Sequence, residues 1–230
     1  IYLRSTLASM SRPRIQLQAR MGSTRLPGKA LLSLGHARLI ESVYESCSAS
    51  KTISEVILVT GDDPANDALV EWARRHNISH FVGSESNLLN RHRKAAEHFD
   101  TDPIIRICGD SPFIISSEID RIVSEHREND ADYTTNVTDD MPHDTSVDVV
   151  DREVLSKLAE LGDTHPIKRL RKEPNQWNVS FSSNPNLTQF RSIGTDVDTP
   201  AEYWRILDAI DTVGSDPFSV REYLLSEVSA

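Results

Sequence analysis

Residues 18–29, QARMGSTRLPGK, form a basic segment that could bind phosphate groups. The segment carries three cations, Arg20, Arg25 and Lys29, together with two glycines, and no acidic residue occurs before Glu41. Glycine lets backbone N–H groups approach an anion closely, and the cations neutralise its charge. The composition of this segment therefore predicts a site for a polyphosphate.

The glycine spacing excludes one well-known phosphate-binding motif. A Walker A loop has four residues between its glycines and a hydroxyl residue directly after its lysine. Here five residues separate Gly22 from Gly28, and Ala30 follows Lys29. The segment is therefore not a P-loop, and on local features alone a solvated basic turn at Pro27-Gly28 is an alternative.

Two acidic segments could hold a metal ion against such a phosphate. Asp110 follows the apolar run PIIRIC in the turn GDSP, and Asp196 and Asp198 occur in DVDTP before a predicted helix. Mg²⁺ is typically held by one or two carboxylates together with substrate phosphates. In a strand, Asp196 and Asp198 would share a face and could ligate one ion. The alternatives are an Asx turn or helix cap at Asp110, and a cap formed by Asp198 or Thr199.

The composition narrows the class of protein. The 230 residues carry a formal net charge of −10, with 38% hydrophobic and 26% charged residues, which is ordinary for a globular protein. The acidity argues against a nucleic-acid partner, because phosphate backbones need a basic surface. Arginine outnumbers lysine about threefold, and an acidic, lysine-poor composition favours a halophilic source, where high net charge preserves solubility.

No segment predicts export or membrane insertion. No apolar run is long enough to span a bilayer, and the apolar part of IYLRSTLASM is too short for a signal peptide. We interpret residues 1–13 as a leader or a disordered N-terminus, with Met10 as an alternative start. Cys47 and Cys108 give neither a disulfide framework nor metal-ligand spacing. The predicted compartment is the reducing cytoplasm.

Strand-like and helix-like patterns alternate through the first 130 residues. The predicted strands are residues 14–19, 55–60, 80–82 and 103–108, and the predicted helices are residues 39–50, 62–75, 87–98 and 117–127. This alternation predicts a mostly parallel sheet with helices on both faces, and ligands bind beyond the carboxyl ends of such strands. The loops at residues 18–29, 61–63 and 109–112 meet that condition, so we expect them to converge on one site.

The pattern becomes more polar after residue 136. The predicted strands in the rest of the chain are residues 132–136, 147–150, 179–181 and 187–193. The predicted helices are residues 153–161, 165–172, 200–210 and 219–227. Residues 137–145 are predicted to be a loop.

Five segments in this order resemble the motifs of the cytidylyltransferases that activate acidic sugars. They read QARMGSTRLPGKALLSL, TGDDPANDALV, GSESNLLNRHRKAA, IIRICGDSPFI and VDTPAEYWRI. The family includes the acylneuraminate and KDO cytidylyltransferases, and the nearest branch is that of spore-coat polysaccharide biosynthesis. The resemblance spans about residues 15–207, and the first motif is highly specific. It implies a GT-A-like, Rossmann-type α/β nucleotidyltransferase fold for residues 14–230, with a mixed, mostly parallel sheet.

The same resemblance implies a reaction and a set of site residues. The reaction would transfer CMP from CTP to an acidic or related sugar with release of pyrophosphate, for surface polysaccharide or glycoconjugate biosynthesis. Mg²⁺ would be the cofactor, and the protein would be a homodimer. Catalysis would involve Arg20, Lys29 and Asp110, and the metal would be held by Asp110 and Asp198. The residues implied to bind the nucleotide are Gln18, Ala19, Arg20, Gly22, Ser23, Arg25, Lys29, Gly61, Asp62, Gly83 and Ser84.

The predicted acceptor and dimerisation region, residues 137–195, departs from the family pattern. Where relatives have a glycine and a glutamate this chain reads MPHDTSVDVV, and where they have EHVTPY it reads THPIKR. The acceptor-binding candidates are His143, Asp148 and His165. Either the sugar differs or the second half-reaction has been lost. The alternatives are a nucleotide-binding pseudoenzyme or regulatory subunit, and a glycosyltransferase or nucleotidyltransferase that uses another nucleotide.

Overall fold

A single large sheet carries the predicted site. The computed structural model describes residues 13–228, apart from the side chain of His143. The strands are β1 (Arg14–Gln18), β2 (Ser33–Leu34), β3 (Ala37–Arg38), β4 (Glu55–Gly61), β5 (His80–Gly83), β6 (Ile104–Cys108), β7 (Tyr133–Thr135), β8 (Asp148–Val150) and β9 (Val179–Phe181). Seven of them form a sheet in the order β5-β4-β1-β6-β8-β7-β9, and β2 pairs only with β3.

The sheet is mixed but mostly parallel, which confirms the predicted fold class. Strand β8 runs antiparallel to both of its neighbours, β6 and β7, while the other pairings of the large sheet are parallel. In β1, Gln18 lies opposite Val59 of β4 on one side and Cys108 of β6 on the other. The carboxyl ends of these three strands therefore lie together at one edge of the sheet.

Helices cover both faces of the sheet. They are α1 (Leu39–Ser48), α2 (Asp67–Arg75), α3 (Leu88–His98), α4 (Ser116–Glu128), α5 (Arg152–Glu160), α6 (Lys168–Lys172), α7 (Pro200–Val213) and α8 (Pro217–Val228). Helices α1, α2 and α4 pack on one face, against Ile15, Leu17 and Leu58. Helices α3 and α5 pack on the other face. Full burial of such a side chain contributes about 1.5–3 kcal/mol, so the central strands hold the site edge firmly.

Thr199, and not Asp198, caps the N-terminus of α7. Thr199 Oγ1 accepts a hydrogen bond from Glu202 N, and the Thr199 backbone N–H donates to Glu202 Oε2 at 2.8 Å. This is a capping box, which provides hydrogen-bond acceptors for backbone N–H groups at the helix start. Pro200 in the first turn has no N–H group that needs a partner. The cap is therefore Thr199, and the carboxylate of Asp198 is not used for capping.

The predicted strand at residues 187–193 is wrong. The structure has a short 3₁₀ helix there, Thr188–Phe190. Leu187, Phe190 and Ile193 are buried and pack against Ile206 of α7 and Val220 of α8. Their spacing of three residues matches the period of a 3₁₀ helix rather than the period of two that a strand requires.

The predicted leader, residues 1–13, lies almost entirely outside the residues that the structure describes. Residues 1–12 are outside them, and Pro13 directly precedes β1. Within residues 13–228, the helices are all too short or too polar to cross a membrane. Residues 137–145 contain only the short 3₁₀ turn His143–Thr145, in agreement with the predicted loop.

Candidate active site

The loops that follow β1, β4 and β6 converge, as the sequence predicts. The Gly109 N–H donates to the carbonyl oxygen of Gln18 at 2.8 Å, and the Met21 N–H donates to Asn66 Oδ1 at 2.8 Å. A Cβ atom at Gly109 would lie 3.0 Å from the Gln18 carbonyl oxygen and 2.9 Å from Ile40 Cδ1. Glycine is therefore needed at this position for the two strand ends to approach each other.

Lys29 is turned inward at the end of the basic loop. Gly28 has φ 75°, a left-handed conformation that favours glycine. Its N–H donates to the carbonyl oxygen of Met21 at 2.9 Å, which closes the loop. Lys29 is only 8% exposed, whereas the side chains of Arg20 and Arg25 are 56% and 61% exposed. The basic segment is therefore not simply a solvated turn.

The Lys29 ammonium joins the two carboxylates that were predicted to hold a metal. Nζ donates to Asp110 Oδ2 at 2.8 Å and to Asp198 Oδ1 at 2.7 Å. Arg25 donates to the other oxygen of Asp198 at 2.6 Å. Burial alone would lower the pKa of Lys29, but the two carboxylates outweigh it and raise that pKa above its usual value.

The donor set formed by Asp110 and Asp198 fits a divalent cation. Burial would raise the pKa of Asp198, but Lys29 and Arg25 hold it below its usual range, so this carboxylate is ionised at neutral pH. The two acidic segments are tied together, because the Val197 N–H donates to the Asp110 carbonyl oxygen at 3.0 Å. Within residues 13–228 no group of three or more His, Cys, Asp or Glu side chains could hold a metal. Two carboxylates completed by substrate phosphates suit Mg²⁺.

Asp196 and Asp198 do not lie in a strand, so the strand-based reason for placing them on one face does not hold. Asp196 Oδ1 accepts a hydrogen bond from Ser111 Oγ at 2.6 Å. Burial raises the pKa of Asp196 to about 7; the Ser111 hydroxyl opposes this shift, and the negative charge of Asp110 adds to it.

This raised pKa predicts a pH-dependent stability. Above its unfolded pKa of 3.8 the unfolded chain loses the Asp196 proton, whereas the folded protein keeps it up to about pH 7. The contribution of Asp196 to the free energy of unfolding therefore falls as pH rises through this window and then levels off. Asp196→Asn keeps an acceptor for Ser111 and cannot titrate. Relative to the wild type, its free energy of unfolding should rise between about pH 4.5 and about pH 7.5, as measured by urea unfolding at each pH.

The control for that experiment is Asp211→Asn, because Asp211 is exposed on α7. This variant should follow the wild-type pH profile. An Asp196→Asn profile that also overlays the wild type would contradict the assignment of the shift to Asp196.

A cleft of about 210 Å³ collects most of the residues predicted for catalysis and phosphate binding. Its lining residues are Gln18, Ala19, Arg20, Ser23, Thr24, Arg25, Lys29, Ala30, Cys108, Gly109, Asp110 and Asp198. Gly22 has open space around it. A larger depression of about 640 Å³ lies between α2 and the β2–β3 hairpin, but it is lined by none of these residues. The cleft therefore brings three cationic side chains and two carboxylates together.

The other predicted nucleotide residues surround Glu85, which lies next to Ser84 after β5. The Glu85 N–H donates to Asp62 Oδ1 at 2.8 Å, and Arg20 donates to Glu85 Oε1 at 3.3 Å. A Cβ atom at Gly61 would lie 1.7 Å from Glu85 Oε2, so any larger residue at position 61 would displace the Glu85 carboxylate from this position. A Cβ atom at Gly83 would lie 2.9 Å from Phe81 Cε1 and 3.0 Å from Arg91 Cγ.

Sequence reasoning missed the role of Glu85 and of its neighbour Asn66. The Asn66 amide donates to the Gly61 carbonyl oxygen at 3.1 Å and to Glu85 Oε2 at 3.0 Å, while its oxygen accepts from Met21. These two side chains connect the loops after β1, β4 and β5. Neither carries a local sequence signal, because an Asn in a helix start and a Glu in a loop are common.

Of the acceptor candidates whose side chains the structure describes, neither Asp148 nor His165 lines the cleft. The side chain of His143 lies outside the described part of the structure. Asp148 is 1% exposed and is bound by Arg106, Arg171 and Tyr133 at 2.9, 2.6 and 2.6 Å. Its carboxylate therefore positions other side chains rather than offering a free oxygen.

His165 is half-buried just before α6. Burial lowers its pKa to about 4, and the neighbouring charge of Arg106 contributes to the shift. The imidazole is therefore neutral at physiological pH. It can donate or accept a hydrogen bond there, but it adds no positive charge to the acceptor region.

Arg106 is a third residue that sequence reasoning missed. It lies in β6 and donates to Gln18 Oε1 at 2.9 Å, to Asp148 at 2.9 Å and to Cys108 Sγ at 3.2 Å. It thus connects the cleft to the acceptor region. The sequence feature that could have identified Arg106 is an arginine inside the apolar strand IIRIC, because a buried cation must be paired.

Known proteins that are similar to this chain in sequence or in structure include cytidylyltransferases. A family model described as cytidylyltransferase matches residues 15–202. The spore coat polysaccharide biosynthesis protein SpsF of Bacillus subtilis is 30% identical over 211 residues, which cover 87% of each protein. A cytidylyltransferase from Leptospira borgpetersenii has a similar structure, with a TM-score of 0.86 at 24% identity over 95% of each chain.

A second solved structure shares the fold at greater distance. It is CMP:2-keto-3-deoxy-manno-octonic acid synthetase in complex with CTP, with a TM-score of 0.68 and 19% identity, covering 88% of this chain and 99% of that one. Both structural matches are below 25% identity and establish a common fold.

Proposed function

This chain belongs to the cytidylyltransferase family, and from that premise we propose that it transfers CMP from CTP to an acidic or related sugar. The product would be a CMP-activated sugar for surface polysaccharide or glycoconjugate synthesis, and pyrophosphate would be released. The observation that carries this proposal is the cleft in which Lys29 contacts both Asp110 and Asp198. It combines cations for a triphosphate with carboxylates for a metal.

The proposed reaction forms a bond between an acceptor oxygen and the α-phosphorus of CTP. The bond from that phosphorus to pyrophosphate breaks, and the proton of the acceptor hydroxyl passes to solvent water. Lys29 and Arg25 would bind the phosphates and offset the charge that develops on the leaving group. Arg25 can grip two phosphate oxygens with its planar guanidinium, whereas Lys29 acts as a point charge.

The metal site would be built from Asp110 and Asp198. When bound there, Mg²⁺ would polarise the α-phosphate and help to orient the phosphate chain. Arg20 forms an ion pair with Glu85 at 3.3 Å and would add positive charge near the phosphates. Gln18 would contact the nucleoside, because its side chain lines the cleft and is fixed by Arg106.

The acceptor would bind on the Arg106 side of the cleft. His165 is neutral, and Asp148 is occupied by two arginines and a tyrosine. We therefore expect Asp148 to act by holding Arg106 and Arg171 in place. His143 and His165 remain candidates for direct contact with the sugar.

A pyrophosphate-release assay tests the proposed function. CTP should support release in the presence of Mg²⁺ and an acidic sugar, and UTP, ATP and GTP should support it poorly. Absence of release with every nucleotide and sugar would contradict the proposal. If calorimetry then showed CTP binding without turnover, the protein would be a nucleotide-binding pseudoenzyme. Preferential release from another nucleotide would change the assigned substrate.

Other aspects of the proposal have separate tests. We propose that the enzyme is a homodimer, which light scattering after gel filtration measures. We propose Mg²⁺ as the resident cation, which competition with other divalent ions measures. A cytoplasmic location and a halophilic source remain predictions. The acidic composition predicts greater stability in concentrated salt, and full stability without salt would count against a halophilic source.

A further inference from the structure

The Lys29 ammonium lies where a cation between Asp110 and Asp198 must lie. The two carboxylates come from distant parts of the chain, one after β6 and one before α7, and each contributes one oxygen to the same nitrogen. The N–O distances are 2.8 and 2.7 Å. Mg²⁺ requires oxygen distances of about 2.0–2.1 Å, so the ammonium and the metal cannot share this position.

The charges at the cluster are balanced without a metal. Lys29 contacts both carboxylates, and Arg25 contacts the second oxygen of Asp198 at 2.6 Å. Two anions therefore face two cations. A divalent ion arriving alone would meet little net attraction and would have to displace a largely buried lysine from two partners.

A triphosphate changes this balance. It brings several negative charges into the cleft that Lys29 and Arg25 already line. Lys29 has a flexible stem, and its ammonium can exchange carboxylate oxygens for phosphate oxygens without losing its charge pairing. That exchange would free Asp110 and Asp198 for a metal that is also bound by the phosphates.

We propose that Lys29 is a placeholder cation: it holds Asp110 and Asp198 in position before the nucleotide binds, and it makes metal binding depend on the arrival of the triphosphate. This inference rests on the proposed function, because it requires a nucleoside triphosphate in the cleft. It gives Lys29 a positioning role in addition to its phosphate contact. It also predicts a binding order, in which the metal enters with the nucleotide rather than before it.

Direct metal binding tests this proposal without an activity assay. Free Mn²⁺ can be counted by electron paramagnetic resonance during titration of the nucleotide-free protein. The wild type should bind Mn²⁺ weakly, and Lys29→Met should bind it at least about tenfold more tightly, because two carboxylates then lack a competing cation. With a CTP analogue that carries a methylene group between the α- and β-phosphorus, the order should reverse. The variant should then bind metal and nucleotide more weakly than the wild type.

Arg20→Met is the matched control. It removes the same charge from the same loop, but Arg20 contacts Glu85 rather than the metal carboxylates. Its nucleotide-free Mn²⁺ affinity should stay within about twofold of the wild type. If both variants gained affinity equally, the effect would be general electrostatics and the placeholder role would be wrong. Unchanged or weaker nucleotide-free affinity in Lys29→Met would also overturn it.

The folding of Lys29→Met is checked by thermal unfolding, and Lys29→Gln serves as the second variant because it retains a hydrogen-bond donor. Failure of the placeholder role and failure of the proposed function give different results. Tight Mn²⁺ binding to the nucleotide-free wild type overturns only the placeholder role, and pyrophosphate release from CTP would persist. If the CTP analogue failed to bind the wild type, the proposed function and the placeholder role would both be wrong.

Discussion

Replacing Asp110 by asparagine is expected to lower turnover by about a thousandfold or more, because it removes one of the two carboxylates that we propose as metal ligands. Metal ions contribute several kcal/mol of charge stabilisation in such transition states, and about 1.4 kcal/mol corresponds to a factor of ten in rate. Asn is nearly isosteric and can still accept a hydrogen bond from Lys29, so the cleft should keep its shape. The effect should therefore appear in kcat at saturating CTP.

The measurement is Mg²⁺-dependent pyrophosphate release, with thermal unfolding recorded for each variant. Asp198→Asn should cause a loss of similar size, because Asp198 contacts the same ammonium. Asp211→Asn removes a carboxylate from the exposed side of α7 and should leave turnover unchanged. Retention of more than about a tenth of wild-type activity in Asp110→Asn, with the fold intact, would contradict its role as a metal ligand.

The largest expected effect on stability is that of Asp144→Asn. Asp144 and Arg221 are both completely buried, and one Asp144 oxygen accepts hydrogen bonds from Arg221 and from Thr195. The Arg221 guanidinium also donates to the Phe113 carbonyl oxygen at 3.2 Å and to the Pro217 carbonyl oxygen at 3.0 Å. The variant would leave a buried cation without its counter-charge.

Breaking a buried ion pair on one side costs about 3–5 kcal/mol, so we expect the free energy of unfolding to fall by that amount. In a chain of this length the melting temperature should fall by about 10 °C. The measurement is urea unfolding followed by circular dichroism. Because Arg221 lies in α8 and Asp144 lies before β8, the loss should also loosen the C-terminal helix.

Two controls separate burial from charge in that experiment. Glu71→Gln removes the acid of an exposed pair with Arg75 and should change stability by less than about 1 kcal/mol. The double variant Asp144→Leu with Arg221→Met replaces both charges by apolar side chains and should recover most of the loss. If Asp144→Asn lowered the free energy of unfolding as little as Glu71→Gln, the buried ion pair would not contribute the stability that its burial indicates.

Local patterns in the sequence were sufficient for most of the fold. The run EVILVT predicted a strand buried on both faces, and β4 has that environment. Leu39, Ile40, Val43 and Cys47 were placed on one helix face, and all four are buried in α1. One exception was residues 187–193, where a spacing of three was interpreted as a strand and the chain forms a 3₁₀ turn.

The basic loop and Asp110 could be selected from the sequence because the chemistry of a phosphate site requires particular residue types next to strand ends. The family resemblance added the expected pairing of Asp110 with Asp198. Glu85, Asn66 and Arg106 could not be assigned in this way. Their roles depend on hydrogen bonds between segments that are far apart in the chain.

The sequence by itself predicted the mostly parallel sheet, the basic loop with Lys29 and two acidic segments, at Asp110 and at residues 196–198, as candidate metal ligands. These features follow from local periodicity, from glycine and proline positions and from residue chemistry. Only the tertiary structure decided that Lys29 lies between Asp110 and Asp198 and that Asp196 contacts Ser111 instead. Those contacts depend on strand order and on the direction of side chains at loop ends, where no repeating pattern constrains the backbone.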